Sequence, residues 1–192
     1  MLKLLAMTAV GIGTMAATAT PAMAAPGPPE PVGKVQVDRY LGRWYQIAAV
    51  PALYEIQCRR DVTADYGLSP AGTVTVKNSC RSFFGITSTI RGDARPLDAT
   101  NARLNVSFLR FGSAWRHTAN ANYIVVGLAA DYRWAVVTDS GRRSGFVLSR
   151  TPALSDADAR AARSALRRAA IDPCTLKTTP QHNGASTSGP FC

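Results

Sequence analysis

Histidine is almost missing from this chain, with 2 among 192 residues, and that scarcity removes much of ordinary enzyme chemistry. His117 and His182 have no Ser, Cys or carboxylate beside them at motif spacing, and both are expected on exposed loops. No His-x-His, His-Glu-x-x-His, Gly-x-Ser-x-Gly or phosphate-cradling Gly loop occurs. Glu55, Asp61 and Asp65 fall near one predicted hairpin and read as exposed strand-end carboxylates. No metal, cofactor or catalytic residue is therefore expected, and the chain is read as a non-enzyme; for a pigment such as haem, His117 would be the ordered-region candidate for an axial ligand. Acids are also scarce, 12 against 22 Lys and Arg, which gives a net charge of +10. The arginines are scattered and accompany no reader motif or aromatic stacking signature, so nucleic acid is not expected as a partner. A solvated basic surface, or attraction to anionic lipid or cell-envelope polymers, remains.

Long apolar runs are limited to one near the start. Lys3, the stretch Leu4 to Ala17 and the small-residue site Ala22-Met23-Ala24 predict a signal peptide over residues 1–24. The run is short, diluted by Gly11 and Gly13, and followed by Pro-rich sequence, which disfavours a membrane anchor. No Cys follows the cleavage site and no twin-Arg pair precedes it. The expected product is soluble and secreted, or held in the periplasm or cell envelope. Cys-x-x-Cys pairs are lacking too, so the four cysteines of an exported chain read as two disulfides rather than a redox or metal site. Three connectivities are open. Cys58–Cys80 is favoured because both lie near the open ends of one predicted hairpin, which leaves Cys174–Cys192 to pin the tail.

What the sequence does contain is a succession of short β-branched and aromatic runs separated by turn residues. After a Pro/Gly-rich lead-in over residues 25–34, expected to be extended and mobile, strands are predicted at 42–50, 62–68, 73–79, 87–94, 102–108, 122–129, 134–138 and 145–150. Ser69-Pro70-Ala71-Gly72 and Asp139-Ser140-Gly141 supply tight turns, so consecutive strands should be antiparallel neighbours. Eight strands in this order suit an all-β, up-and-down antiparallel barrel with room for one small ligand, although periodicity alone also allows a sandwich. Ser155 with Asp158 three residues on predicts the start of a helix running to Ile171. Ala159, Ala162, Leu166 and Ala170 share one face and Arg160, Arg163 and Arg167 another, so this C-terminal helix should pack outside the barrel.

The segment Val37-Asp38-Arg39-Tyr40-Leu41-Gly42-Arg43-Trp44-Tyr45 resembles the opening motif of the lipocalins, a helical turn running into Gly-x-Trp. Ala130-Asp131-Tyr132 resembles their second motif, and Leu148-Ser149-Arg150-Thr151-Pro152 their third. The wording around Asp61-Val62-Thr63-Ala64-Asp65-Tyr66 is most similar to the bacterial lipocalin and apolipoprotein D-like branch. Ala130 stands where Thr is usual, and Phe146 where Trp is frequent. The resemblance covers residues 35–181 as one lipocalin domain, with 182–192 as a tail. It implies Gly42, Trp44, Asp131, Tyr132 and Arg150 in structural roles, Arg150 lying across the Trp44 indole at a closed end.

If Arg150 points inward, strand alternation turns Phe146 and Leu148 inward as well. The same parity groups Leu104, Val106 and Phe108; Val62, Ala64 and Tyr66; and Val74 with Val76. Tyr123 with Val125, and Trp134 with Val136, are assigned inward because their aromatic members can wall a pocket. Tyr66 and Phe146 fall where the family places pocket aromatics. The resemblance implies carriage or storage of a fatty acid, lysophospholipid or similar small hydrophobic ligand. Two alternatives are an envelope surface-interaction protein using its basic exterior and an isomerase- or hydratase-like lipocalin enzyme.

Overall fold

The computed structural model describes residues 27–192. The expected signal peptide, residues 1–24, lies outside them. A single helical turn, α1 (Val37–Tyr40), leads into β1 (Gly42–Ala49). Then come β2 (Cys58–Leu68), β3 (Val74–Ser82), β4 (Thr87–Pro96) and β5 (Arg103–Ser107). A separate two-stranded hairpin, β6 (Arg110–Phe111) with β7 (Ala114–Trp115), interrupts the meander before β8 (Tyr123–Leu128), β9 (Trp134–Thr138) and β10 (Gly145–Ser149). Helix α2 (Asp156–Arg168) and a short strand β11 (Lys177–Thr178) complete the order.

Each of the eight long strands pairs antiparallel with its neighbour, and β10 returns to β1, so the sheet closes on itself. Closure removes the unpaired edges that an eight-stranded sheet would otherwise expose. It also decides between the two architectures left open by periodicity, in favour of the barrel. β1 stays in register with β10 from Tyr45↔Ser149 to Gln46↔Leu148 and then shifts by one residue at a bulge. Strand β2 begins at Cys58, earlier than its apolar alternation starts, because two irregularities near Arg60 and a positive φ at Asp61 carry the pairing with β3 past the polar residues.

Up-and-down order puts the connections alternately at two ends. One end carries the β1–β2, β3–β4, β5–β8 and β9–β10 links. The other carries α1, the β2–β3 and β8–β9 turns, and the link from β4 to β5. The lead-in is extended as expected but docked rather than free. Pro29 is fully buried, the Val32 N–H donates to the Val125 carbonyl at 2.8 Å, and Val35 donates to Thr100 at 2.8 Å.

Helix α2 starts where its cap dictates: Ser155 Oγ accepts the Asp158 N–H at 3.1 Å. The Asp158 carboxylate turns aside to Arg133 Nη2 at 2.8 Å, tying the helix start to the β8–β9 turn. Ala162, Ala165 and Leu166 are buried against the outer face of β8 and β9. Arg160 and Arg167 stay exposed, whereas Arg163 lies 4.8 Å over the Phe191 ring. Ala170, assigned to the apolar face, is instead an exposed residue with φ 58° just beyond the helix end. The tail continues this outer core. Lys177–Thr178 pairs with Ala48–Ala49, and Phe191 is buried in the layer under α2. Cys58 is bonded to Cys80 across β2 and β3, and Cys174 to Cys192 across the tail.

Candidate functional site

The barrel has two apolar layers, one inside it and one between its wall and α2. Trp44 has no exposed surface and forms the floor of the inner layer. Its indole N–H donates to the Tyr40 carbonyl at 2.8 Å, and the Arg150 guanidinium lies 3.9 Å from its ring centre. That guanidinium also donates to the carbonyls of Arg43 at 2.9 Å and Arg39 at 2.7 Å, binding the last barrel strand to α1 and β1. Gly42 adopts φ 89°, where a side chain would be strained, and lets α1 turn into β1 beside Arg150. Tyr132 (φ 65°) accepts from the Gln36 N–H at 2.9 Å and carries Arg39 over its ring at 4.2 Å. Asp131 is exposed and held by Arg133 at 2.6 Å. The motif residues therefore seal one end of the barrel.

Beside this floor, toward the same end of the barrel, lies a cavity lined by Tyr40, Tyr66, Leu104, Val106, Tyr123 and Val125, with Val35, Val37 and Leu41 around α1, Val74, Ala94, and Asn101 of the β4–β5 link completing its walls. Its volume is about 30 Å³. The seat is narrow, and a bulky occupant would have to move side chains. Its polar feature is a chain of phenols: Tyr123 Oη is 2.9 Å from Tyr40 Oη and 3.1 Å from Tyr66 Oη. Burial pushes the Tyr66 phenol up to about 12, and pushes those of Tyr40 and Tyr123 well above the usual tyrosine range. All three are neutral hydroxyls at physiological pH, able to give or accept one hydrogen bond from an occupant.

Of the residues assigned inward from sequence, Tyr66, Leu104, Val106, Tyr123 and Val125 line this cavity. Val76 is buried in the apolar group with Val74, Ala94 and Leu104. Leu148 and Phe146 belong to the inner layer above Trp44. Phe108 stands at the rim, 40% exposed, its ring lying on Gly92, where an added Cβ would come within 2.7 Å of it.

Trp134 and Val136 differ from their assignment. They point outward into the layer under α2, beside Ala162, Ala165 and Leu166, while Ala135 and Val137 take the inward positions. Every residue of β9 is buried, because the cavity side and the helix side are both covered, so alternation carries no signal there. His117 also departs from its expected exposure. Its side chain is 9% exposed, with Nε2 2.9 Å from Asp93 Oδ1 and Nδ1 3.1 Å from Asn105 Oδ1. Asp93 and Asn105 alternate with the cavity-lining Ala94, Leu104 and Val106, which places this group on the outer wall, where it fastens the 108–120 loop. The carboxylates are likewise engaged: Asp65 with Arg43 at 2.8 Å, Asp61 with Arg60 at 3.1 Å, and Glu55 with Gln46 Nε2 at 3.3 Å.

Two residues of the inner wall escaped sequence reasoning. Tyr40 stands in the sequence only as part of the opening motif, yet it carries one end of the phenol chain. Asn78, in phase with Val74 and Val76 on β3, has a buried Oδ1 with no hydrogen-bond partner. A polar residue interrupting an inward apolar phase is the signal that would have found it. Among the described residues, no group of three or more His, Cys, Asp or Glu is placed to hold a metal, and no helix is long and apolar enough to cross a membrane.

Comparison with known proteins points the same way as the geometry. The family profile described as "Lipocalin-like domain" matches residues 35–181. The outer membrane lipoprotein Blc of Escherichia coli K12 is 36% identical over 140 residues, covering 70% of this chain and 75% of that protein. Temperature-induced lipocalin-1 of Arabidopsis thaliana is 32% identical over 129 residues, 66% of this chain and 69% of its own. Mouse apolipoprotein D is 29% identical over 153 residues, 77% of each. Among solved structures, insecticyanin from the tobacco hornworm superposes with a TM-score of 0.63 at 18% identity, covering 88% of this chain and 95% of that one, a likeness of fold alone.

Proposed function

Because the chain belongs to the lipocalin family, whose members bind small hydrophobic ligands, we propose that it works outside the cytoplasm as a carrier or store of a fatty acid, lysophospholipid or similar single-chain lipid. The observation that carries this reading is the barrel cavity, apolar on nearly every wall and lying beside the Trp44–Arg150 closure. Burying an apolar side-chain-sized group is worth roughly 1.5 to 3 kcal/mol, so an acyl chain gains affinity without a charged partner. The seat as it stands holds little more than a water, so an acyl chain would enter by displacing side chains along its walls. The phenol chain offers it a neutral hydrogen-bonding contact.

Carriage is proposed rather than catalysis, because among the described residues no carboxylate, histidine or lysine lines the cavity beside its phenols and the His117–Asp93 pair lies on the outer wall. Extracytoplasmic placement is supported by the two disulfides, by the leader-like sequence of residues 1–24 and by a relative named as an outer membrane lipoprotein.

The test is titration of the disulfide-intact protein with a fluorescent fatty acid, in low and high salt, beside a Val106→Trp variant that fills the seat. Saturable one-site binding that survives salt and weakens at least about tenfold in the folded variant is expected. Binding abolished by salt, or indifferent to Val106→Trp, refutes the cavity as the site.

A further inference from the structure

The end of the barrel opposite Trp44 is unusually apolar at its surface. Of the ten exposed large hydrophobic residues among the described residues, Leu68 alone belongs to the closed end. Leu53 (87% exposed) and Ile56 ride the β1–β2 link. Phe84 (89%) and Ile86 ride the β3–β4 link, and Leu109 and Phe111 (66%) the β6–β7 hairpin. Exposed apolar groups gathered at one place on a protein mark a contact surface.

Charge narrows the kind of contact. Residues 50–61, 81–91 and 107–117, which hold these tips, contain six arginines (Arg59, Arg60, Arg81, Arg91, Arg110 and Arg116) against two carboxylates, Glu55 and Asp61, the second of them paired with Arg60. On the hairpin the two classes are interleaved, with Arg110 over the Trp115 ring at 5.5 Å and Arg116 over the Phe111 ring at 5.2 Å. The guanidinium heads thus rest on the faces of rim aromatics, so cationic and apolar groups share one surface.

We infer that this open rim seats the protein on an anionic lipid surface, the apolar tips entering the interface and the arginines meeting lipid phosphates. Three separate loops project their tips individually, and a fluid bilayer moulds to such a profile more readily than a rigid protein face does. A second copy of this +10 chain would set arginine against arginine. Apolar insertion and attraction to anionic lipid add, as they do for interfacial helices. Such seating would also bring the barrel mouth against the bilayer, but the inference rests on the rim and holds whether or not the cavity takes a lipid.

The experiment is flotation of the disulfide-intact chain from Ala25 onward with vesicles of phosphatidylcholine, with and without phosphatidylglycerol. Alongside run a Phe84→Ser/Phe111→Ser double variant, an Arg110→Ser/Arg116→Ser double variant, and Leu68→Ser as the closed-end control. Binding is expected on the anionic vesicles. It should fall at least about tenfold in the phenylalanine variant, fall and depend less steeply on salt in the arginine variant, and be unchanged by Leu68→Ser. Fluorescent fatty acid binding in vesicle-free solution should be unchanged in the phenylalanine variant, which separates failure of the rim from failure of the carrier reading. Absence of binding to anionic vesicles overturns the inference, as does equal loss with Leu68→Ser. So does association of the chain with itself, lost in the phenylalanine variant, in place of vesicle binding.

Discussion

Replacing Arg150 with Ala tests whether the closed end is held by one side chain. The guanidinium makes good hydrogen bonds to the carbonyls of Arg39 and Arg43, a long one of 3.4 Å to that of Tyr132, and covers the Trp44 ring at 3.9 Å. A hydrogen bond from a charged donor contributes about 1.5 to 3 kcal/mol, and a partly desolvated cation–π contact about 0.5 to 2 kcal/mol. The Arg39 and Arg43 carbonyls lie near solvent and water would replace part of what they lose, so a net cost of about 2 to 4 kcal/mol is expected. For a domain of this size that is a fall in Tm of roughly 5 to 15 °C. Urea unfolding with both disulfides intact, and m unchanged, measures it. Arg150→Lys should recover less than half, because an ammonium cannot span three carbonyls and the ring together. A cost under about 1 kcal/mol, or full rescue by Lys, would refute the reasoning.

The phenol chain predicts alkaline instability. Its members ionise at higher pH when folded than when unfolded, so their contribution is complete below the ordinary tyrosine value of 10.0 and is lost as pH rises through it toward about 12 for Tyr66. Absorbance of phenolate should show three late-ionising tyrosines, and Tyr123→Phe, which strands two buried hydroxyls, should cost about 1 to 3 kcal/mol; early ionisation of all six tyrosines, with the fold intact, would contradict the arrangement. Gly127→Ala places a methyl within 2.6 Å of Ala165 Cβ on α2 and should destabilise by about 1 to 3 kcal/mol, most of it restored by Ala165→Gly. A lack of coupling in that double-mutant cycle would mean that α2 does not sit so closely on β8.

The strand runs, their order and the helix were legible because each obeys a local rule. Turn residues separate β-branched runs, and Ser155 caps the first turn of α2 through Asp158. The inward phase of β5 was legible too, since Leu104 and Val106 alternate with residues that face the outer wall. Strand β9 was not: Trp134-Ala-Val-Val-Thr138 is apolar or small throughout, and its two phases look alike until α2 is laid over one of them. His117 was unreadable for a related reason, since nothing near it in the chain reveals that Asp93 and Asn105 wait on the wall beneath its loop.

The sequence by itself determined where strands start and stop, which ends meet in hairpins, and which Trp and Arg close the barrel, because these depend on residues near in sequence or on a motif with its own wording. Tertiary structure alone decided which face of a doubly covered strand looks into the cavity. It also gathered Tyr40, Tyr66 and Tyr123 into one phenol chain and brought three distant loops into one apolar, arginine-studded rim. The physical reason is closure: joining β10 to β1 fixes an inside, an outside and two ends, and none of these exists for a strand considered alone.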